Sequence, residues 1–276
     1  MPTLRLSFAS PIIFLLGFFL FYPIYLEKKE PFPQEQKPFV ILIPSYNNEA
    51  YCVENIRSAL NQNYQNYRII FINDCSTDKT LELVEKETSS FSKILIINNK
   101  ERRLALANIY DAIHYNIQDN EIVVTLDGDD QLAHSNVLTH LNNIYSKDDI
   151  WLTYGQYQEQ RSCREGFAAL FPEEFIQSNS FRKYPALPTH LRTFYAWLFK
   201  RIDLNDLQSD GEFYTMSWDS AAMFPMIEMA RDHFVFIPEI LYLYNDSNPL
   251  SDHRIDQELQ FAINQEIRNK PVYKPL

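Results

Sequence analysis

The stretch VILIPSYNNEAYCVENIRSALNQNYQNYRIIFINDCSTDKT, residues 40–80, decides the fold. It lies on an apolar, β-branched run, FVILI (39–43), whose length and lack of alternation predict a strand covered on both faces. Val53, Ile56, Ala59 and Leu60 then fall at helical spacing within 48–62. RIIFI (68–72) is a second buried-type strand, and Ser76, Thr77 and Asp78 are capping residues ahead of a helix over 76–88. The pattern continues outward. KILII (93–97) predicts a third strand, 101–117 a third helix, EIVVTL (121–126) a fourth strand and 150–157 a fifth. Buried strands alternating with helices are βαβ units, so the fold class is α/β, a Rossmann-like, mostly parallel sheet flanked by helices. Beyond residue 157 the signals are less regular. A Pro-, Ser- and Asn-rich loop covers 171–189, helices are expected over 191–202 and 218–230, one or two strands within 234–245, and a helix after 256.

Ligands of such sheets bind beyond the carboxyl ends of the strands. The polar residues after each strand are therefore the informative ones: Pro44-Ser45-Tyr46-Asn47, Asn73-Asp74-Cys75-Ser76 and Asp127-Gly128-Asp129-Asp130. Three polar clusters on one rim imply a cleft. In the last of them three carboxylates crowd into four residues and repel one another. Turn chemistry explains one aspartate after a strand, not three. An EF-hand is excluded, because loop positions six and twelve counted from Asp127 are Leu132 and Leu138. A carboxylate pair sharing one proton needs two such loops. A hard divalent cation, Mg²⁺ or Mn²⁺, held by carboxylates together with phosphate oxygens, removes the repulsion.

That cation also reconciles the acids with the composition. The net charge of −11 argues against a nucleic-acid partner and would repel a diphosphate unless a cation intervened. Only five glycines occur, and neither a P-loop nor a dinucleotide fingerprint is present. Cys52, Cys75 and Cys163 are scattered and odd in number, which offers no disulfide framework or zinc pattern and fits a reducing compartment.

Residues 40–80, followed by VVTLDGDD, resemble the nucleotide-sugar-binding half of family 2 glycosyltransferases, which have the GT-A fold. The shared features run in order over 38–132: a strand ending in Pro-x-Tyr-Asn, a Ser-x-x-x-Gln helix end, an Asp-Asp-Gly-Ser-Thr-Asp-like loop, and a strand ending in Asp-x-Asp. The resemblance implies transfer with inversion from a UDP-sugar. It places Pro44, Ser45, Tyr46, Glu49, Asn73, Asp74, Asp127 and Gly128 around the nucleotide. Asn73 stands at the first family aspartate and Cys75 at the family glycine, which leaves open whether Asn73 or Asp74 reaches the base. Ala107 stands at the family arginine before Asn108, which shifts a phosphate role to Arg102 or Arg103. The Asp-x-Asp pair maps to Asp127, at the ribose or a metal-bound water, and Asp129, on the metal, with Asp130 in support. NPLSDHR (248–254) resembles a late segment that closes over the site and offers His253 as a further metal or phosphate ligand.

Family members place the base that takes the acceptor proton at the start of a helix in the second half, which selects Asp219, with Asp210 and Glu212 as alternatives. His190 and Arg192, between a loop and a helix, are positioned to meet acceptor or diphosphate. The Gln-x-x-Arg-Trp motif and late transmembrane helices of the family's polysaccharide synthases are missing. This favours transfer of one sugar to a glycan, lipid-linked or protein acceptor. A catalytically silent nucleotide-sugar-binding module and a sugar nucleotidyltransferase are the alternatives, the second lacking its Gly-rich signature.

The uncharged run SFASPIIFLLGFFLFYPIYL (7–26) matches a bilayer core of roughly 20 residues. No small-residue cleavage site ends it, so the expectation is an uncleaved single-pass anchor over 1–26 and a polar, proline-rich linker over 27–37. A GT-A domain over 38–276 follows, with donor-binding (38–132) and acceptor-binding (133–276) halves. Arg5 before the run and Lys28 and Lys29 after it leave orientation open. A bacterial-type donor supply would place the domain in the cytoplasm.

Overall fold

The structure, a computed structural model, describes residues 35–147, 149–249 and 252–276. Its strands are β1 Phe39–Ser45, β2 Tyr67–Asn73, β3 Ile94–Asn98, β4 Ile122–Thr125, β5 Gln131–Leu132, β6 Leu152–Glu159, β7 Thr193–Tyr195, β8 Gln208–Ser209, β9 Glu212–Phe213 and β10 Phe234–Tyr244. The helices are α1 Cys52–Leu60, α2 Thr80–Thr88, α3 Leu104–Asn116, α4 Val137–Tyr145, α5 Glu173–Gln177, α6 Ala196–Phe199, α7 Trp218–Ala230, α8 Asp252–Ile255 and α9 Gln257–Asn269.

β1 is buried along its whole length because it lies at the centre of the sheet. Val40 and Leu42 face a core shared with α3 and α7, while Phe39, Ile41 and Ile43 face a second core shared with α1 and α4. Successive side chains point to opposite faces of a strand, so an apolar run of this kind needs helices on both sides. The eight-stranded sheet has the order β3-β2-β1-β4-β7-β6-β10-β5. The chain moves outward from β1 through β2 to β3 and then returns to the other side of β1 as β4. β1 and β4 pair in parallel, with Phe39 opposite Ile122 and Leu42 opposite Thr125. Their carboxyl ends therefore flank the reversal of strand order, the place where open α/β sheets bind ligands.

The expectation of a mostly parallel sheet holds for β1 to β4, β6 and β10. The sheet is nevertheless mixed, because β7 runs antiparallel to both β4 and β6, and β5 antiparallel to β10. β7 corrects the helix expected over 191–202, which is helical only over α6. Thr193 faces two elements at once: its hydroxyl lies 2.8 Å from that of Tyr145 and 2.6 Å from that of Thr153. A β-branched residue followed by two aromatics suits the gap between β4 and β6. α4 and β5, between the acidic stretch and residue 150, have no counterpart among the sequence expectations. The segment 234–245 is one strand, bent by register shifts opposite β6.

The apolar run expected to anchor the chain lies outside the described residues. Among the described residues no helix is long and apolar enough to cross a membrane.

Candidate active site

The loop after β4 is held in place by its neighbours. Asn55 of α1 donates from Nδ2 to the carbonyls of Asp127 and Asp130, both at 2.8 Å. Gly128 lies against β1 so closely that a Cβ there would stand 2.5 Å from Ser45 Oγ and 2.8 Å from Asn48 Nδ2. A side chain is therefore excluded where the two central strands end.

The three aspartates part ways in space. Asp130 is buried; its Oδ2 accepts from the Tyr242 hydroxyl at 2.7 Å and its Oδ1 from Asn245 N at 2.6 Å. Burial, and then the charges of Asp129 and Asp127, push its carboxyl well above the usual carboxylate range. Asp129 Oδ2 accepts from Asn248 Nδ2 at 2.6 Å, and burial raises its carboxyl as well. Asp127 turns toward His190, whose Nδ1 lies 4.0 Å from Asp127 Oδ2. His190 stacks on Tyr242, with ring centroids 4.3 Å apart. Burial and the neighbouring Arg192 hold its imidazole well below the usual histidine range. Ligand atoms of Asp127, Asp130 and His190 lie within 4.8 Å of one another.

Arg192 joins this group to Asp219. Its side chain is only 3% exposed. The guanidinium lies 3.1 and 3.2 Å from the two ring nitrogens of His190, donates to Asp219 Oδ2 at 2.9 Å, and sits over the Trp218 ring. Asp219 occupies the first turn of α7, where the helix dipole favours a carboxylate, and its Oδ1 accepts from Ser220 N. Every other residue of α7 is buried, and the helix meets the cavity through Asp219 and its neighbour Ser220. The cavity has a volume of about 1480 Å³ and opens from His190, Arg192 and Asp219 toward α9.

The residues expected around a nucleotide fall into two groups. Pro44 and Ser45 close β1, and Ser45 Oγ accepts from Asn48 Nδ2. Tyr46 is half-buried beneath the Arg102 guanidinium, 3.8 Å from the ring centre. Asn73, buried at the end of β2, donates to Asn98 Oδ1, while its own Oδ1 meets no hydrogen-bond donor among the described residues. Two other residues serve the loops themselves. Asp74 accepts from Asn99 Nδ2, Arg103 N and Leu104 N, tying β2 to the start of α3. Glu49 is exposed, and its Oε2 accepts from Lys79 N. Arg103 pairs with Asp111. The alternatives to Asp219 do not reach the cavity lining: Asp210 and Glu212 lie on the small β8–β9 hairpin. Of His253 the side chain lies outside the described residues.

Tyr242, Asn245 and Asn248 were not singled out in the sequence, yet they hold Asp130 and Asp129. The signal was available. β10 runs parallel to β6, so its carboxyl end opens on the same rim, and NDSN directly follows it. The polar-residue rule applied to β1, β2 and β4 also selects this stretch.

The fold is GT-A-like: a curled mixed sheet with its acidic loop at the reversal of strand order. The glycosyl transferase family 2 model matches residues 40–207, more than half of the chain, and the chain belongs to that family. An uncharacterized glycosyltransferase of Haemophilus influenzae is 32% identical over 125 residues, covering 42% of this chain and 46% of that one. The chain thus spans under half the length of that relative. Glycosyltransferase GlyG of Streptococcus pneumoniae is 23% identical over 211 residues, covering 74% of this chain and 69% of its own. Among solved structures, S. aureus TarS 1–349 in complex with UDP-GlcNAc superposes with a TM-score of 0.61 at 16% identity, over 83% of this chain and 65% of that one. At that identity the likeness concerns the fold.

Proposed function

We propose that the chain is a divalent-cation-dependent, inverting glycosyltransferase. It moves one sugar from a UDP-sugar to a hydroxyl of a glycan, lipid-linked or protein acceptor. The observation that carries this reading is the continuous path from Asp127 through His190 and Arg192 to Asp219, which spans from the end of β4 to the cavity floor. A donor-side carboxylate and an acceptor-side carboxylate are both present, with a buried cation between them.

Ser45, Tyr46 and Asn73 line the rim that would take the nucleotide, and Gly128, having no Cβ, lets the acidic loop close against Ser45 there. Asp219 takes the proton from the acceptor hydroxyl as that oxygen attacks the anomeric carbon and the bond to the diphosphate breaks. Arg192 offers its positive charge to the departing diphosphate. The residues at the rim fit a hard cation: ligand atoms of Asp127, Asp130 and His190 lie together, Asp129 adjoins them in the chain, and burial keeps the imidazole neutral, the form that ligates. Asp127, Asp129 and His190 would hold Mn²⁺ or Mg²⁺, which when bound offsets charge on the leaving group. TarS and the Mycobacterium tuberculosis glucosyl-3-phosphoglycerate synthase, solved with UDP-GlcNAc and with UDP and Mn²⁺ respectively, support the choice of donor. The apolar run 7–26 as a membrane anchor belongs to the same proposal, and membrane fractionation of the full chain tests it.

The decisive experiment is a screen of UDP- and GDP-sugars for metal-dependent hydrolysis and transfer, with Asp219→Asn and Asp129→Ala beside the wild type. Asp219→Asn should lose transfer by about a hundredfold or more while still binding UDP. Asp129→Ala should lose metal-dependent UDP binding. A wild type that binds UDP but turns over no donor would make the chain a silent binding module instead.

A further inference from the structure

The cavity beyond Asp219 is larger than a single sugar needs. Small-molecule pockets typically hold about 300–1,000 Å³, and this one holds about 1480 Å³. One wall is α9, whose cavity-lining residues repeat at helical spacing: Gln257, Gln260, Phe261, Asn264, Gln265 and Arg268. Facing them, Phe167 is 62% exposed, and Phe261 on the helix is 66% exposed. Two exposed aromatic rings among side-chain amides form a surface of mixed chemistry. The rings suit the C–H faces of pyranoses, and each amide both donates and accepts, as hydroxyls do.

The charges decide between a neutral and an anionic occupant. Arg164 is paired with Glu159, Arg182 with Glu228 and Arg192 with Asp219. Arg268 donates to Asn264 Oδ1 and to the carbonyls of Arg182, Tyr184 and Pro185. Recognition of phosphate or carboxylate uses an uncommitted guanidinium fork; Arg164, Arg182 and Arg268 are committed, Arg192 serves the donor side in the reading above, and the exposed Lys183 on the lining is matched in charge by the exposed Glu165. The helix is also fixed relative to the base: Asn264 Nδ2 donates to Ser220 Oγ at 2.8 Å, one residue from Asp219.

Resting on the glycosyltransferase reading above, we infer that this cavity is a subsite for a neutral glycan chain of more than one sugar. The α9 face, with Phe261 and Gln265 at its centre, recognises the residues behind the acceptor hydroxyl.

The test uses the full chain with UDP and Mn²⁺ on an array of neutral linear oligosaccharides of two to six units, their phosphorylated counterparts and their monosaccharides. Retention should rise with chain length. Phe261→Ala and Gln265→Ala should each weaken oligosaccharide binding about tenfold, leaving monosaccharide binding, donor hydrolysis and the thermal midpoint unchanged, since both side chains stand outside the core. Equal retention at every length, or variants that bind oligosaccharides like the wild type, would overturn the inference. So would preference for phosphorylated glycans that is lost with salt or with Lys183→Ala. Length-dependent retention without any metal-dependent donor hydrolysis would overturn the transferase reading and leave the subsite standing.

Discussion

Cys75 sits with φ at +60°, in the left-handed region. A side chain there costs about 1–2 kcal/mol, which explains why the family pattern carries glycine at this place. Among the described residues its thiol makes one long hydrogen bond, Sγ to Lys100 O at 3.5 Å. Cys75→Gly relieves the strain but gives the unfolded chain more freedom, so the net gain should be roughly 0.5–1 kcal/mol. A rise in thermal midpoint of about 1–3 °C with unchanged UDP affinity would show it. Gly128 is the opposite case. Gly128→Ala drives a methyl into Ser45 Oγ and Cβ, both on a central strand that cannot retreat. The expected cost is about 1–3 kcal/mol, with a larger loss of UDP binding than of stability, because the clash falls where the rim of the cleft is formed. Denaturant melts and UDP titration of the same variant separate the two effects.

At the scale of elements, α7 shows what sequence patterns reveal and what they miss. Its span, Trp218–Ala230, matches the expected 218–230, and so do β1 to β4 and their crossover helices, since each is a local apolar run bounded by polar punctuation. The two carboxylate groups, Asp127 to Asp130 and Asp219, were legible for the same reason. The pairings that hold them were not. Arg192, Tyr242 and Asn248 reach the aspartates across 27 to 119 residues of chain, and no period within the sequence records such a contact. β7 was misread because Thr193 is chosen by strands on both sides of it, not by its own neighbours. Arg182 is another long-range case. It donates to both oxygens of Glu228 in α7, at 2.5 and 2.8 Å, and to the carbonyl of Ile267 in α9, at 2.6 Å. Burial raises the Glu228 carboxyl, and Arg182 counters that rise. Arg182→Met leaves a carboxyl with no exposure and no counter-charge, so it should cost about 3–5 kcal/mol. Pairing it with Glu228→Leu should recover most of the loss, measured as a double-mutant cycle in denaturant.

For the whole molecule the governing fact is electrostatic. A chain of net charge −11 gathers three of its carboxylates at the rim that the proposed function gives to a diphosphate. Without a cation, Asp129 and Asp130 are both raised in the fold, so they favour protons more than the unfolded chain does, and that contribution to stability fades as pH rises. His190 acts in the other sense. Its folded form is depressed, so stability is lost as pH falls through the ordinary histidine value of about 6.5. A divalent ion needs the carboxylates ionised and the imidazole neutral, and protons compete with it at all of these groups. The stabilisation given by Mn²⁺ should therefore be largest at pH 8 and shrink steadily toward pH 5.5. Thermal midpoints measured with Mn²⁺ and with chelator across that range check it. The increment should be nearly abolished in Asp129→Ala. An increment that is flat with pH, or that persists in Asp129→Ala, would move the cation away from the rim of β4 and leave the crowding of the three aspartates without its counter-charge.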